Sequence, residues 1–294
     1  MPLAPPIPMP AFVTPSLWSV PWSWEPSITI PLALMFGIYA AGAIRRGNLH
    51  VLRWYHTSFL AGWVSLFLAL TSPIHELGEQ LFSAHMLQHE ILILISAPLI
   101  AAARPGATCL WAFAPRQRSG LGAWAHSIEN SAAIRFISRP LVAWLLEAAC
   151  LWLWHIPSLY QATLTSDWIH AAQHLSFFFT SVLFWSALYG VGRSAMSYGT
   201  ATLYVFATAV HCSALGALLT FSEVLWYPEY AHTTQTWGLT PLQDQQLGGA
   251  LMWVPSGVVF LAVALVLMAT WIKESDRRLK VGSLEAVLQE QERI

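Results

Sequence analysis

All fourteen lysines and arginines of this 294-residue chain fall in alternate gaps between long apolar runs. A helix needs roughly 20 largely apolar residues to cross a hydrocarbon core about 30 Å thick. Runs of that kind recur near residues 27–45, 51–71, 82–103, 140–157, 168–191, 199–221 and 246–272. Arg45, Arg46 and Arg53 fall between the first and second, and Arg104, Arg116, Arg118, Arg135 and Arg139 between the third and fourth. Arg193 lies between the fifth and sixth, and Lys273, Arg277, Arg278, Lys280 and Arg293 follow the seventh. Seven crossings therefore place every basic residue on one face, whereas six or eight would scatter them over both. Loops rich in Lys and Arg stay cytoplasmic. The expected fold is an all-α integral membrane protein, a seven-transmembrane helix bundle with its N-terminus outside and its C-terminus in the cytoplasm.

Composition agrees: 56% of residues are hydrophobic and 10% charged, against about 25% charged in soluble domains. The net charge of -1 includes no basic cluster shaped like a phosphate footprint, which argues against nucleic acid as a partner. Cys109, Cys150 and Cys212 are odd in number and lack CxxC spacing, so neither a disulfide framework nor a thiolate zinc site is indicated. No basic region precedes the first apolar run, so that run reads as a retained span rather than a cleavable signal. Residues 1–26, rich in Pro and Trp, form an expected extracytoplasmic arm, residues 27–272 the membrane domain and residues 273–294 a cytoplasmic tail containing a short helix. The long inner loop 104–139 mixes Arg with Trp111, Phe113, Trp124 and Ile134, a pattern suited to an amphipathic helix on the inner leaflet.

The topology sorts the histidines by depth. Seven of the eleven (His75, His85, His89, His155, His170, His174 and His232) lie toward the outer face, His50, His56 and His126 toward the cytoplasm, and His211 near the middle of the sixth span. Polar residues inside spans are costly and normally face the bundle interior. Two segments share the pattern H-x-x-Q-H: His85 to His89 at the start of the third span and His170 to His174 at the start of the fifth. Residues four apart share a helix face, so each pair can present two imidazoles to one metal ion. The two spans run in the same direction, which sets the pairs at matched depth. Met86 adds a thioether, a soft donor that favours Cu(I). The same histidines can instead hydrogen-bond across helices and hold the bundle together.

Further polar residues surround these pairs. His155 ends the fourth span, Asp167 precedes the fifth and Asp244 the seventh. Each can join the site, or serve only its own helix end as a cap. Glu90 and Glu147 lie within spans and need a partner or a polar cavity, so they are candidate supports for imidazole ligands. His211 is deeper and reads as a relay or as a packing residue.

Taken together, several segments resemble the CtaG family of bacterial cytochrome c oxidase assembly proteins, the polytopic type associated with caa-type oxidases. They are His85 to His89 with the apolar run to Pro98, Trp154-His155-Ile156-Pro157 with Leu159 and Tyr160, and His170 to His174. Leu215 to Phe221 follows, then Trp237 to Pro241, Asp244 to Gly248 and Met252 to Pro255. The resemblance implies a seven-span protein of the bacterial plasma (inner) membrane that helps assemble active oxidase by bringing copper to it, with oxidase subunits and a periplasmic copper donor as partners. It places His85, His89, His155, His170 and His174 at motif positions. Three other readings stay open on the residues alone. One is a seven-helix zinc-dependent membrane hydrolase with Asp244 or Glu90 as base, in place of a protein that is not an enzyme. Another is a haem-binding membrane protein with histidine axial ligands. The last is an assembly scaffold that binds no metal.

Overall fold

A computed structural model describes residues 19–47, 53–190 and 196–291. The Pro-rich stretch before Ser19, together with His50, Arg193 and Arg293, lies outside the described residues. Proline starts seven of the helices, among them α1 (Pro26–Arg46), α3 (Pro73–Gly78), α9 (Pro140–Trp154), α10 (Pro157–Thr165) and α13 (Pro241–Gln291). Its fixed φ suits the first helical position, where no N–H is needed. The others are α2 (Arg53–Thr71), α4 (Phe82–Glu90), α5 (Ala97–Ala103), α6 (Pro105–Leu110), α7 (Pro115–Glu129), α8 (Ala132–Ile137), α11 (Asp167–Leu188) and α12 (Tyr198–Thr220). Two 3₁₀ turns, Pro228–His232 and Thr234–Trp237, link α12 to α13. The described residues contain no strand.

By length and apolarity four helices can cross a membrane: Pro26–Arg46, Phe82–Ala103, Tyr198–Thr220 and Pro241–Arg278. Helices α9 and α10 qualify jointly as a fifth, bent by 75° at their junction. Helices α2 and α11, of 19 and 22 residues, are also long enough. They fall short in mean hydropathy because α2 opens on Arg53, His56, Thr57 and Ser58, and α11 carries Asp167, His170, Gln173 and His174. The polar residues that make α11 interesting also hide it from a hydropathy test. The tail does not form a separate short helix: α13 runs without a break to Gln291.

Helix α13 packs along α12 and crosses α4, while α11 packs against α9 and α5, and α2 against α5. Close approach depends on small residues, as is usual between membrane helices. A Cβ on Gly249 would meet the Gly216 carbonyl at 2.7 Å, and one on Gly248 would collide with the Phe82 ring. Indole N–H groups tie the layers: Trp63 Nε1 donates to the Leu32 carbonyl at 3.0 Å and Trp185 Nε1 to the Ile93 carbonyl at 2.9 Å. Ile93 lies in a π-helical segment, Ile91–Ser96, that joins α4 to α5.

In the 104–139 connection, α7 buries none of its residues, and Trp124 is exposed. At the other end of the bundle the chain before α1 docks on α2, with Ser23 N donating to the Thr71 carbonyl at 2.8 Å.

Candidate metal centre

The N-terminal portions of α4 and α11 lie at the same end of the bundle and bring their histidines together. The rings of His85 and His89 sit 4.4 Å apart, His170 and His174 4.3 Å, His89 and His174 5.3 Å, and His85 and His170 5.1 Å between centroids. One nitrogen from each of His85, His89 and His174 falls within 4.8 Å of the others. His170 is at the edge, stacked on His75 at 5.7 Å. His85 is fully buried, His89 3% exposed and His174 8%.

Two glutamines orient this group, one from each H-x-x-Q-H segment. Gln173 Oε1 lies 3.1 Å from His85 Nε2; an amide oxygen only accepts, so His85 Nε2 carries the proton and Nδ1 the lone pair. Gln88 Nε2 donates to the Ala69 carbonyl at 2.8 Å and to His75 Nδ1 at 3.1 Å. Buried polar atoms are normally hydrogen-bonded. Yet His85 Nδ1, both ring nitrogens of His89, His170 Nε2 and His174 Nε2 find no hydrogen-bond partner among the described residues. Each neutral imidazole offers one lone pair, and a group of buried, converging rings with unpartnered nitrogens is what a cation needs and what a packed interior avoids.

His155 and Met86 form a neighbouring pair rather than part of this triad. His155 Nδ1 donates to the Leu151 carbonyl at 2.7 Å, closing the end of α9, and its Nε2 faces Met86 Sδ at 3.4 Å. Met86 is wholly buried. The Phe177 ring stands between the two groups, 4.6 Å from His89 and 6.3 Å from His155.

Asp244 is engaged elsewhere. Its carboxylate accepts from the backbone N–H of Phe82 at 2.6 Å and of Ser83 at 3.1 Å, and from the Ser83 hydroxyl. It thus caps α4 from α13 and fixes the turn that carries His85. Asp167 is exposed in the first turn of α11. Glu90, Glu147 and His211 lie in mid-bundle, where Glu147 Oε2 approaches His211 Nε2 at 3.5 Å.

A cap covers this end of the molecule. Tyr230 donates to the Gly78 carbonyl and meets the Tyr160 hydroxyl, both at 2.9 Å, while Thr233 donates to the Gln80 carbonyl at 2.6 Å. Tyr227 donates to the His155 carbonyl at 2.9 Å. Burial raises the Tyr227 and Tyr230 hydroxyls well above the ordinary tyrosine range, so both remain neutral donors. The Tyr160 ring lies 5.2 Å from His85. The histidine group is therefore enclosed, with His170 nearest its edge. Sequence reasoning missed Gln88, Gln173, His75 and the tyrosine cap as parts of this assembly; the repeated glutamine of H-x-x-Q-H was the one available signal.

A family model described as cytochrome c oxidase caa3 assembly factor matches residues 37–274. An uncharacterized protein of Mycobacterium leprae (strain TN) is 24% identical over 274 residues, covering 87% of this chain and 40% of that protein. A second, from Mycobacterium bovis, is 24% identical over 263 residues, 85% of this chain and 38% of its own length. The chain thus spans about two fifths of the curated relatives it matches. No solved structure matches it significantly.

Proposed function

The chain belongs to the cytochrome c oxidase caa3 assembly factor family, and on that premise we propose that it binds copper at the end of the bundle holding His85, His89 and His174 and passes it to an oxidase subunit. In this reading the chain is an assembly factor and not an enzyme. It crosses the bacterial inner membrane seven times, with α2, α11 and the bent α9–α10 pair completing the set, its N-terminus outside and the histidine group at the outer face.

The observation that carries the proposal is the buried convergence of three imidazoles, each with at least one ring nitrogen that has no hydrogen-bond partner among the described residues. Imidazole accepts copper readily, and a thioether favours Cu(I). His75 and His170 line the edge of the group, and the Met86–His155 pair adds softer donors on its other side. An ion held by neutral, polarisable ligands can be released, as delivery requires, more easily than from a closed thiolate cage. The ring contacts favour a small ion over haem. A haem lies between its axial ligands, and here the imidazoles of α4 and α11 pack directly against one another.

The test is made in cells that depend on this chain. Replacing His85 and His174 together by Ala should lower the copper content of the oxidase several-fold while the variant stays in the membrane at the parental level. Oxidase copper unchanged in that variant would overturn copper delivery and leave a scaffold. Zinc instead of copper in the purified parent would favour the hydrolase reading.

A further inference from the structure

A second group of ligating side chains lies in mid-bundle and shares no residue with the histidine group. Glu147, two turns into α9, is only 5% exposed, and its Oε2 has no hydrogen-bond partner among the described residues. His211 and Cys212, side by side in the middle of α12, face it. His211 Nε2 lies 3.5 Å from Glu147 Oε2 without hydrogen-bond geometry, and His211 Nδ1 lies 3.8 Å from Cys212 Sγ. One ligand atom from each of the three falls within 4.8 Å of the others. The Trp144 indole meets the His211 ring edge-on at 5.4 Å and is itself held by Thr208 at 2.9 Å. A small cavity beside the group is lined by Glu90, Glu147, Cys212 and Met252, and Glu90 Oε2 is also unpartnered among the described residues.

Apolar surroundings make a carboxylate costly when it makes no hydrogen bond and its one charged contact is a 3.5 Å approach to an imidazole, and a metal ion held jointly with that imidazole and the thiol offers a remedy that simple packing does not. Zinc bonds of about 2.0–2.3 Å to N, O and S place tetrahedral donors about 3.4 Å apart. The separations seen here need to shorten by about 1 Å, within reach of side-chain rotation. Charge decides the valence: one carboxylate and one thiolate carry two negative charges, so a divalent ion gives a neutral buried complex, whereas a monovalent ion leaves a net charge in the membrane interior. The mixed O, N and S donors suit a borderline metal.

We propose that Glu147, His211 and Cys212 form a second metal site that takes a borderline divalent transition-metal ion and clamps α9 to α12. Binding releases the Cys212 thiol proton to solvent, with Met252, or Glu90 in its protonated form, as a neighbour able to complete the coordination without adding charge. This site stands independently of copper handling by the histidine group.

The full-length purified protein, stripped by chelator and titrated with Co(II), provides the test. The parent should bind Co(II) with a near-ultraviolet thiolate-to-metal charge-transfer band, and added Zn(II) should abolish that band. Cys212→Ser should lose the band, Glu147→Gln should weaken Co(II) binding at least tenfold, and Cys150→Ser should keep the band. Because a thioether and imidazoles give no thiolate transition, the histidine group cannot mimic the signal. A parent with no thiolate band, or a band that survives Cys212→Ser, would overturn the proposal. Gel-filtration profiles matching the parent ensure that each loss reports ligation rather than unfolding.

Discussion

Gln173 illustrates how single residues set up the histidine group. By accepting from His85 Nε2 it fixes which nitrogen of that ring offers a lone pair. Outer partners of metal ligands typically change affinity 10–100-fold, so Gln173→Leu should weaken copper retention by roughly that factor while the thermal midpoint stays near the parent's. Equilibrium dialysis against a Cu(I) chelator reads the first and a melting curve the second. Asp244 works at one remove, as a cap. Losing a cap costs about 1–2 kcal/mol, so Asp244→Ala should lower stability by about that amount and loosen the turn carrying His85, seen as a lower midpoint and faster copper loss. The histidines themselves were legible in the sequence because spacing of four places them on one helix face. The task of Asp244 was not, since its partners, Phe82 and Ser83, lie more than 160 residues away. The glutamines stood in plain view, but their bonds to His85 and His75 exist only once α4, α11 and α3 are packed.

At the scale of elements, the π-helical segment Ile91–Ser96 follows directly on His89 and Glu90. Such segments leave backbone groups in need of new partners, and Trp185 answers one of them at the Ile93 carbonyl. Trp185→Phe keeps an aromatic ring but removes the donor and one ring of the buried indole, so it should cost at least about 1 kcal/mol, measurable as a reduced midpoint. Where α12 and α13 meet, Gly216 and Gly249 allow near-contact of backbones. Gly249→Leu should separate the two helices and, through Gly248 and Phe82, disturb α4; an overpacked contact costs about 1–3 kcal/mol, and copper retention should fall with stability. The apolar runs located α1, α2, α9, α11 and α12, and the outer bounds of the α4–α5 span, to within a few residues. They did not foresee the 75° bend after Trp154, although His155-Ile156-Pro157 marks it. The tail also looked separable from the last span because its charge pattern changes there. The helix nevertheless continues, since one Gly at 282 costs only about 1 kcal/mol and no proline intervenes.

For the molecule as a whole, charge segregation and helix packing make complementary statements. In the proposed topology the basic residues mark the cytoplasmic side, and the bundle gathers His75, His85, His89, His170 and His174 at one end. If the seven-span topology holds, a cysteine placed at exposed Glu229 should react with a membrane-impermeant maleimide in intact cells, and one at exposed Ser119 only after the membrane is opened. The central claim concerns what the gathered histidines hold. It is tested most directly by the copper content of the full-length protein purified under reducing conditions, set beside that of the His85→Ala, His174→Ala double variant. The account predicts bound copper in the parent and a severalfold loss in the double variant. Equal copper in the two proteins, or none in the parent, would contradict it.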